Sequence, residues 1–156
     1  MSNKFIYLGG LIDGVNLGQA KVWRELATQR LEQAGIRTLD PTRKIHQKFI
    51  KLTRMMDMDY NRLEDSAKQI VKKDMAMIRD ADVLLCNLAR VTSLSVREGP
   101  VGSLMELFFA SYVVDIPTIV VCEDRQYMKR PWIKEHTTKC LPTLDRALKY
   151  LIRNYS

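Results

Sequence analysis

The sequence predicts a doubly wound α/β fold, in which a parallel sheet carries helices on both faces. Short apolar runs at residues 5–8, 36–39, 83–88 and 118–122 have the length and composition of buried strands. Between these runs lie segments with apolar residues three or four positions apart, which is the spacing of one helix face. A strand, a helix and a second strand in succession favour a right-handed parallel unit, and repetition of that unit gives the doubly wound sheet.

Helical spacing is clearest at residues 16–34, where Ala20, Ala27 and Leu31 are among the apolar positions and Arg24 is among the polar ones. Gly35 follows, and helices commonly end at a glycine. The same reasoning predicts helices at residues 64–80, 102–114 and 144–153, and a fifth short strand at 138–141.

Residues 42–63 are the least regular part of the sequence. They begin with a basic stretch and show no helical or strand period. We interpret them as a long excursion that carries part of a helix, a kind of segment that often forms a lid or a binding loop.

The chain has 156 residues, of which 46% are hydrophobic, and is most simply one domain over residues 1–156. Its first residues lack the long apolar run of a signal peptide, and no later run is long enough to span a membrane. We therefore expect a cytoplasmic protein with no membrane partner. Cys86, Cys122 and Cys140 lack Cys-x-x-Cys spacing and two lie in apolar runs, so we expect buried free thiols, no disulfide and no metal site. We also expect no cofactor.

The positive charge of the chain has two interpretations. The net charge is +7, and Lys and Arg are concentrated at residues 42–54 and 125–139. Clustered bases favour contact with nucleic acid through counterion release. Neither cluster carries the interleaved aromatic residues on which the bases of a single strand would stack. We therefore expect a solvated basic face, secondarily one that attracts a small anionic substrate, and no nucleic-acid partner.

In a doubly wound sheet, ligands bind outside the carboxyl ends of the strands. The residues that follow the predicted strands at this edge are the substrate-binding candidates: Gly9, Gly10, Asp13, Asp40, Glu98, Gly102 and Ser103. Asp82 begins its strand, so we expect it at the opposite edge in a structural role. Residues 9–14 match neither a dinucleotide-binding glycine motif nor a P-loop, and there is no nucleophile-elbow motif. For His46 and His136, exposed positions in basic loops are favoured over catalytic roles.

Two carboxyl groups remain as candidates for chemistry. Glu106 lies in the first turns of a helix that is apolar on nearly every side, where the helix dipole would keep it ionised as a nucleophile. Asp74 lies near the buried face of the preceding helix. Two carboxyl groups beside one anomeric carbon can break a glycosidic bond, one by attack and the other by proton transfer. The alternatives are a Glu106 that only favours the dipole and an Asp74 that caps the helix or pairs with Lys72 or Arg79.

Several segments occur in an order that is informative as a set. They are Ile-Tyr-Leu-Gly-Gly at residues 6–10, the helix and strand at 70–85, Gly-Ser-Leu-Met-Glu-Leu at 102–107, and Ile-Pro-Thr-Ile-Val-Val at 116–121. Together they resemble the nucleoside 2-deoxyribosyltransferase family, to which nucleotide N-glycosidases are related. The resemblance covers most of the chain apart from residues 42–63. It implies a flavodoxin-like, or Rossmann-like, fold and the transfer of 2-deoxyribose between nucleobases.

The resemblance also implies roles for individual residues. By position, Glu106 matches the nucleophile, Asp74 matches the acid/base that serves the leaving and incoming base, and Tyr7 matches the residue whose hydroxyl orients the nucleophile. The family usually has an Asp shortly before the nucleophile to hold the sugar hydroxyls. The matching position here is near Pro100, and the nearest acid is Glu98, which is either the substitute or an exposed loop residue.

Two other functions stay open beside the transferase. One is hydrolysis of deoxynucleoside 5′-monophosphates, in which the backbone amides of Gly9 and Gly10 and the hydroxyl of Ser103 could line a phosphate pocket. The other is a non-catalytic nucleotide-binding module of the same fold. The expected partners are a nucleoside or nucleotide and a free nucleobase.

The resemblance also implies a homo-oligomer, a dimer or larger, because family members assemble so that a neighbour completes the pocket. Phe108, Phe109 and Tyr112 exceed what one helix face needs for its own sheet. They would suit such an interface, and a core on two sides of the helix explains them equally well.

Overall fold

The computed structural model describes residues 3–12, 17–43, 67–89 and 99–156. Its centre is a five-stranded parallel sheet with the strand order β2-β1-β3-β4-β5. The strands are β1 (Phe5–Gly10), β2 (Arg37–Leu39), β3 (Val83–Asn87), β4 (Thr118–Val121) and β5 (Lys139–Leu141). All five carboxyl ends therefore lie at one edge of the sheet.

Helices cover both faces of this sheet. They are α1 (Leu17–Gln33), α2 (Ala67–Arg79), α3 (Val101–Phe108), α4 (Pro131–Glu135) and α5 (Leu144–Tyr155). Helices α1 and α5 pack on one face, and α2 and α3 pack on the other. This confirms the predicted doubly wound, flavodoxin-like fold.

The alternation of side chains along β1 divides the core between the two faces. Ile6 and Leu8 point to the face covered by α1 and α5, whereas Tyr7 points to the face covered by α2 and α3. All three side chains are fully buried. The face that receives Tyr7 also receives Ile78 from α2 and Leu107 from α3. The hydroxyl of Tyr7 is thus brought to the two helices that carry the predicted carboxyl pair.

Helix α1 ends as the sequence predicts. Gly35 has a φ of 79°, a left-handed conformation that glycine adopts without steric cost. The amide of Ile36 donates to the carbonyl of Leu31 at 2.9 Å, and the amide of Gly35 donates to that of Glu32 at 3.0 Å. These bonds satisfy carbonyls at the helix end and direct the chain into β2.

The predicted helix at 102–114 differs from the observed one in its second half. After α3 the chain winds more widely, as a π-helical segment from Phe109 to Val114, and Asp115 with a φ of 60° ends it. The wider winding places one more residue in each turn than the 3.6-residue spacing used for the prediction. Helix α4 and the short 3₁₀ turn at Tyr127–Lys129 were not predicted from the sequence.

The three cysteines are free thiols, as predicted, but they are not all buried. Cys86 and Cys122 are buried, whereas Cys140 is exposed. Cys140 belongs to β5, the strand at the edge of the sheet, so part of its surroundings is solvent. The expectation of three buried thiols was wrong for this residue.

Three further expectations concern Asp82, membrane-spanning helices and the irregular region at 42–63. Asp82 lies at the amino edge of the sheet, where its carboxylate accepts from the amide of Phe5 at 2.8 Å and pairs with Lys4 at 2.9 Å. Its predicted structural role is confirmed. Within the described ranges, no helix has the length and apolarity that crossing a membrane requires. Of the irregular region at 42–63, only Thr42 and Arg43 are among the described residues.

Candidate active site

Tyr7 and Glu106 are joined by a hydrogen bond at the carboxyl edge of the sheet. The hydroxyl of Tyr7 donates to Oε1 of Glu106 at 2.7 Å. Tyr7 is fully buried in β1, and Glu106 is half-buried in the second turn of α3. Since a phenol held by packing has one place for its hydroxyl, this bond fixes the orientation of the carboxylate.

Gly9 provides the space in which that carboxylate lies. A Cβ atom at position 9 would be 3.0 Å from Oε2 of Glu106 and 3.3 Å from Cδ1 of Leu84. Both distances are shorter than ordinary van der Waals contacts. The glycine therefore permits Glu106 to lie directly against the end of β1.

Asp74 projects from α2 toward the same region. Its side chain is half-buried, and its buried oxygen Oδ1 has no hydrogen-bond partner among the described residues. The positive charges that act on it are those of Lys73 and Arg24. Arg79, which the sequence offered as a partner, instead lies over the ring of Phe109, 5.1 Å from its centroid. A buried oxygen without a partner carries a desolvation cost that a bound ligand can remove.

Burial raises the pKa of both carboxyl groups. The pKa of Glu106 rises to about 7, because desolvation outweighs the hydrogen bond from Tyr7 and the charge of Arg24, both of which lower it. The negative charge of Asp74 raises it further. Desolvation likewise raises the pKa of Asp74 to about 6. Burial and the two carboxylates also raise the pKa of Tyr7 well above its usual value, so its hydroxyl stays protonated as a donor.

The expected influence of the helix dipole on Glu106 was wrong. Helix α3 has no acidic residue in its first turn, and Glu106 lies in the second. The field of a helix terminus falls off within the first turn, so it is weak at Glu106. Desolvation of the carboxylate decides the direction, and it favours the protonated form.

Two neighbouring carboxyl groups with raised pKa values form a coupled pair that shares protons. Near neutral pH one group can be ionised and act as a nucleophile or base, while the other is protonated and acts as an acid. Within the described ranges, no three His, Cys, Asp or Glu side chains converge as ligands of a metal ion. The two carboxyl groups themselves support nucleophilic and acid/base chemistry.

The other predicted binding residues lie on three elements of the structure, namely α3, β1 and the end of β2. Ser103 is buried one turn before Glu106, and Gly102 is exposed in the first turn of α3, where a Cβ would have no atom within 4 Å. Gly10 ends β1 with a φ of 149°, and Asp40 is buried just after β2. Contact between any of these residues and a substrate stays a prediction.

Three predicted positions lie outside the described residues: Asp13, His46 and Glu98. The remaining histidine, His136, lies at the amino edge of the sheet, where its carbonyl accepts from the hydroxyl of Thr118 at 2.6 Å. It is half-buried and lies away from the carboxyl pair. The expectation of an exposed loop position was therefore wrong for His136, and its lack of a catalytic role stays a prediction.

Arg24 is part of the site region and was assigned wrongly from the sequence. The sequence analysis placed it among the solvent-facing polar residues of α1, but its side chain has no exposed surface. The signal was present, because position 24 is four residues after Ala20 and three before Ala27, which both lie on the buried face. Because arginine is charged, position 24 was counted with the polar residues in spite of this spacing.

An aromatic cluster covers the outer side of the helix that carries Glu106. It consists of Phe108, Tyr112, Trp132 and His136, whose neighbouring ring centroids lie 5.2 to 6.4 Å apart. We call these four residues the aromatic surface. Tyr112 and Trp132 are each 73% exposed. Phe109 is buried in the core, which agrees with the alternative of a core on two sides of the helix at that position.

The fold and the site define a class of protein: a doubly wound α/β protein with a hydrogen-bonded, protonatable carboxyl pair at the carboxyl edge of its sheet. No protein-family model matches the sequence, and a search of curated proteins finds no relative. Solved structures, in contrast, match over nearly the whole chain.

Two of these structures are deoxyribosyltransferases. A 2-desoxiribosyltransferase from Leishmania mexicana matches with a TM-score of 0.67 and 16% identity, over 98% of this chain and 99% of the other. A 2-deoxyribosyltransferase from Bacillus psychrosaccharolyticus matches with a TM-score of 0.58 and 18% identity, over 97% and 92% of the two chains.

The third is the CMP N-glycosidase BcmB from Clostridium botulinum, with a TM-score of 0.56 and 16% identity over 95% of this chain and 97% of the other. At such identities the likeness shows the fold. The chain thus has the fold of 2-deoxyribosyltransferases and of a nucleotide N-glycosidase, and these neighbours match the family that its sequence segments resemble.

Proposed function

We propose that the protein cleaves the N-glycosidic bond of 2′-deoxynucleosides and transfers the 2-deoxyribose to another nucleobase. The observation that carries this proposal is the carboxylate of Glu106, held by Tyr7 at 2.7 Å and laid against Gly9. A second carboxyl group, Asp74, offers a buried oxygen without a partner among the described residues. The structural likeness to two deoxyribosyltransferases supports the choice of substrate.

In the first step, Oε2 of Glu106 attacks the anomeric carbon of the deoxyribose. The C–N bond breaks, its electron pair goes to the base, and the proton on Asp74 moves to the base as it leaves. The sugar remains as an ester of Glu106. A sugar without a 2-hydroxyl reaches the oxocarbenium-like transition state more readily, so a carboxylate is a sufficient nucleophile.

In the second step, a nitrogen of the incoming base attacks the same carbon. Asp74 takes the proton of that nitrogen, and the ester bond breaks to return Glu106 as a carboxylate. If water attacks instead, the product is the free sugar and the same residues perform hydrolysis. Such base exchange would suit the salvage of purines and pyrimidines.

A nucleotide N-glycosidase is the second candidate, and the likeness to a CMP N-glycosidase favours it. It would act on deoxynucleoside 5′-monophosphates and release a sugar phosphate without needing an acceptor base. The backbone amides at Gly9 and Gly10 and the hydroxyl of the buried Ser103 are the groups in the described residues that could face a phosphate.

Product analysis separates these functions. The protein is incubated with deoxyinosine, and in parallel with a deoxynucleoside 5′-monophosphate, each with and without adenine. New deoxyadenosine formed only with adenine supports the transferase. Sugar phosphate released without adenine supports the N-glycosidase, and saturable binding without product would contradict both.

The covalent intermediate is tested by the mass of the intact protein during turnover. The wild type should gain the mass of one deoxyribose, and E106A should not. Glu25→Gln is the matched control, because Glu25 is an exposed glutamate on α1. E106A with full exchange activity would overturn the assignment of Glu106.

We further infer that the protein forms a homo-oligomer through the aromatic surface. Tyr112 and Trp132 expose most of their rings, and Met105, one turn before Phe108, is 64% exposed. Exposed apolar side chains that lie next to one another favour association. The family resemblance adds that a neighbour completes the pocket.

A further inference from the structure

Arg24 is the one cation that is fully buried among the residues that the structure describes. Its Nε donates to the carbonyl of Leu8 at 3.1 Å, and its Nη2 donates to the carbonyl of Gly10 at 3.2 Å. A third bond, from Nη1 to the carbonyl of Ala20 at 2.6 Å, holds the side chain to its own helix. The guanidinium therefore joins α1 to the carboxyl end of β1.

The negative partner of Arg24 neutralises it only in part. Oδ1 of Asp40 lies 3.7 Å from Nε, which is beyond hydrogen-bond distance. The same oxygen accepts from the amide of Thr42 at 2.8 Å and from its hydroxyl at 2.7 Å. The ring of Trp23 lies 4.5 Å from the guanidinium carbon. Arg24 interacts electrostatically with Glu106 as well as with Asp40, and the interaction with Asp40 is the stronger of the two.

In the described part of the chain, the titratable side chains that face Glu106 come from β1, β3, α1 and α2. Burial raises the pKa of both Tyr7 on β1 and Cys86 on β3, so both are neutral near pH 7. Asp74 on α2 repels the Glu106 carboxylate when ionised, while Arg24 on α1 attracts it. Lys73 acts on Asp74 rather than on Glu106. Arg24 is therefore the cation that opposes desolvation at Glu106.

We propose that Arg24 is a positioning residue of the site, whose guanidinium fixes the end of β1 against Glu106 and reduces the cost of ionising that buried carboxyl group. The proposal rests on the proposed role of Glu106 as nucleophile. Without this cation, the two carboxyl groups would have, among the described residues, Lys73 and the Tyr7 hydroxyl to offset their desolvation. Asp40 also influences the ionisation of Glu106, since its negative charge offsets part of the positive charge of Arg24.

Arg24 also has a geometric role, because its hydrogen bond to Gly10 holds the end of β1. The carbonyl of Gly10 belongs to a residue with a φ of 149°, and a Cβ there would lie 2.8 Å from the carbonyl oxygen of Asn87. This is a backbone conformation that other residues rarely adopt, and Arg24 bonds directly to it. The adjacent Gly9 is where Glu106 lies.

The test measures the pKa of Glu106 directly, without using activity. The full chain is labelled with ¹³C at glutamate carboxyls, and the signal of Glu106 is identified by its loss in E106Q. In R24M the pKa of Glu106 should rise by on the order of one unit. In D40N, which leaves Arg24 without its anion, it should fall. R24K keeps the charge but not the forked geometry, and should stay closer to the wild type than R24M.

Arg30→Met is the matched control, because Arg30 lies on the same helix and pairs with Asp145 at 2.9 Å on the surface. It should leave the pKa of Glu106 unchanged. A folded R24M with an unchanged Glu106 pKa would overturn the proposal, as would shifts of the same sign in R24M and D40N. If R24M does not fold, Arg24→Gln decides, since it removes the charge but keeps hydrogen-bond donors, and an unchanged pKa of Glu106 in that variant would overturn the proposal. These outcomes do not depend on whether deoxyribosyl transfer is observed.

Discussion

The carboxylate of Glu106 occupies the space that a side chain at position 9 would need, with Oε2 only 3.0 Å from the Cβ that an alanine would carry. The other oxygen is held by the buried hydroxyl of Tyr7. A new methyl group would therefore displace the carboxylate by a few tenths of an ångström and distort that bond. Gly9 thereby acts as part of the site although it has no functional group.

Gly9→Ala should lower the rate of deoxyribosyl transfer by about tenfold, because a displacement of about 1 Å can cost about 100-fold and the methyl group displaces the carboxylate by a few tenths of an ångström. The measurement is single-turnover formation of the ester. Unfolding followed by circular dichroism is the control, and the variant should keep a cooperative transition. Full activity in the folded variant would show that Glu106 can react from another position.

The dependence of kcat/KM on pH should be bell-shaped, with its maximum between about 6 and about 7, the pKa values of Asp74 and Glu106. The productive fraction rises as Glu106 ionises and falls as Asp74 loses its proton. Because the pKa of Glu106 is the higher of the two, the productive form, with Glu106 ionised and Asp74 protonated, is the minor singly protonated form of the pair. The two limbs report the coupled pair rather than single residues. A rate that is constant from about pH 5 to about pH 8 would contradict this assignment of roles.

Tyr7→Phe should move that maximum to higher pH and reduce its height by about tenfold or more. The hydrogen bond from Tyr7 lowers the pKa of Glu106, so its removal raises that pKa and reduces the ionised fraction. The full pH profile must be compared, since one pH value cannot separate the two effects. An unshifted profile would mean that Tyr7 acts only through packing.

Glu106→Gln should stabilise the protein above neutral pH while abolishing transfer. The folded-state pKa of Glu106 is raised to about 7 from an ordinary value of 4.5, so its stabilising contribution is present at low pH and lost as pH rises through about 7. The free energy of unfolding should therefore increase by on the order of 1–3 kcal/mol at about pH 8 and hardly change at about pH 4.

Chemical denaturation at the two pH values measures this difference. Glu25→Gln serves as the control, since Glu25 is exposed on α1 and its replacement should change the free energy of unfolding little. Equal effects of Glu106→Gln at both pH values would contradict a raised pKa. The pattern expected here is the usual conflict between activity and stability at a buried catalytic group.

Replacing Tyr112 and Trp132 together by serine should lower the mass of the protein in solution, measured by light scattering at micromolar concentration. Both rings are 73% exposed on the aromatic surface. Val22→Ser is the control, because Val22 is 65% exposed on α1, at the opposite face of the sheet. A monomeric wild type, or an unchanged mass of the double variant, would contradict the proposed interface.

The sequence predicted the strands well because strands covered on both faces leave unbroken apolar runs. Each of the five described strands begins and ends within two residues of its predicted bounds. The same local information served for α1, where Gly35 gave a clear stop signal. Periodicity and turn chemistry are local properties, so a single sequence carries them.

Other features depend on contacts that are distant in sequence. The spacing of Arg24 was visible, but its burial depends on the carbonyls of Leu8 and Gly10 from another element. The hydrogen bond between Tyr7 and Glu106 spans 99 positions, and only the family resemblance suggested it. The raised pKa of Glu106 depends on how far other elements bury the carboxylate, which the sequence of its own helix does not show.

Because the winding changes within one helix, the loss or gain of a residue can affect its two halves differently. Up to Phe108 the chain keeps the α-helical pitch that aims Glu106, and from Phe109 to Val114 it follows the wider π-helical path. A π-helical turn contains one residue more than an α-helical turn needs. Loss of one residue after Phe109 would rotate Tyr112 around the helix axis while leaving Glu106 upstream in register. The direction in which the aromatic surface faces can thus change with chain length while the position of Glu106 is kept.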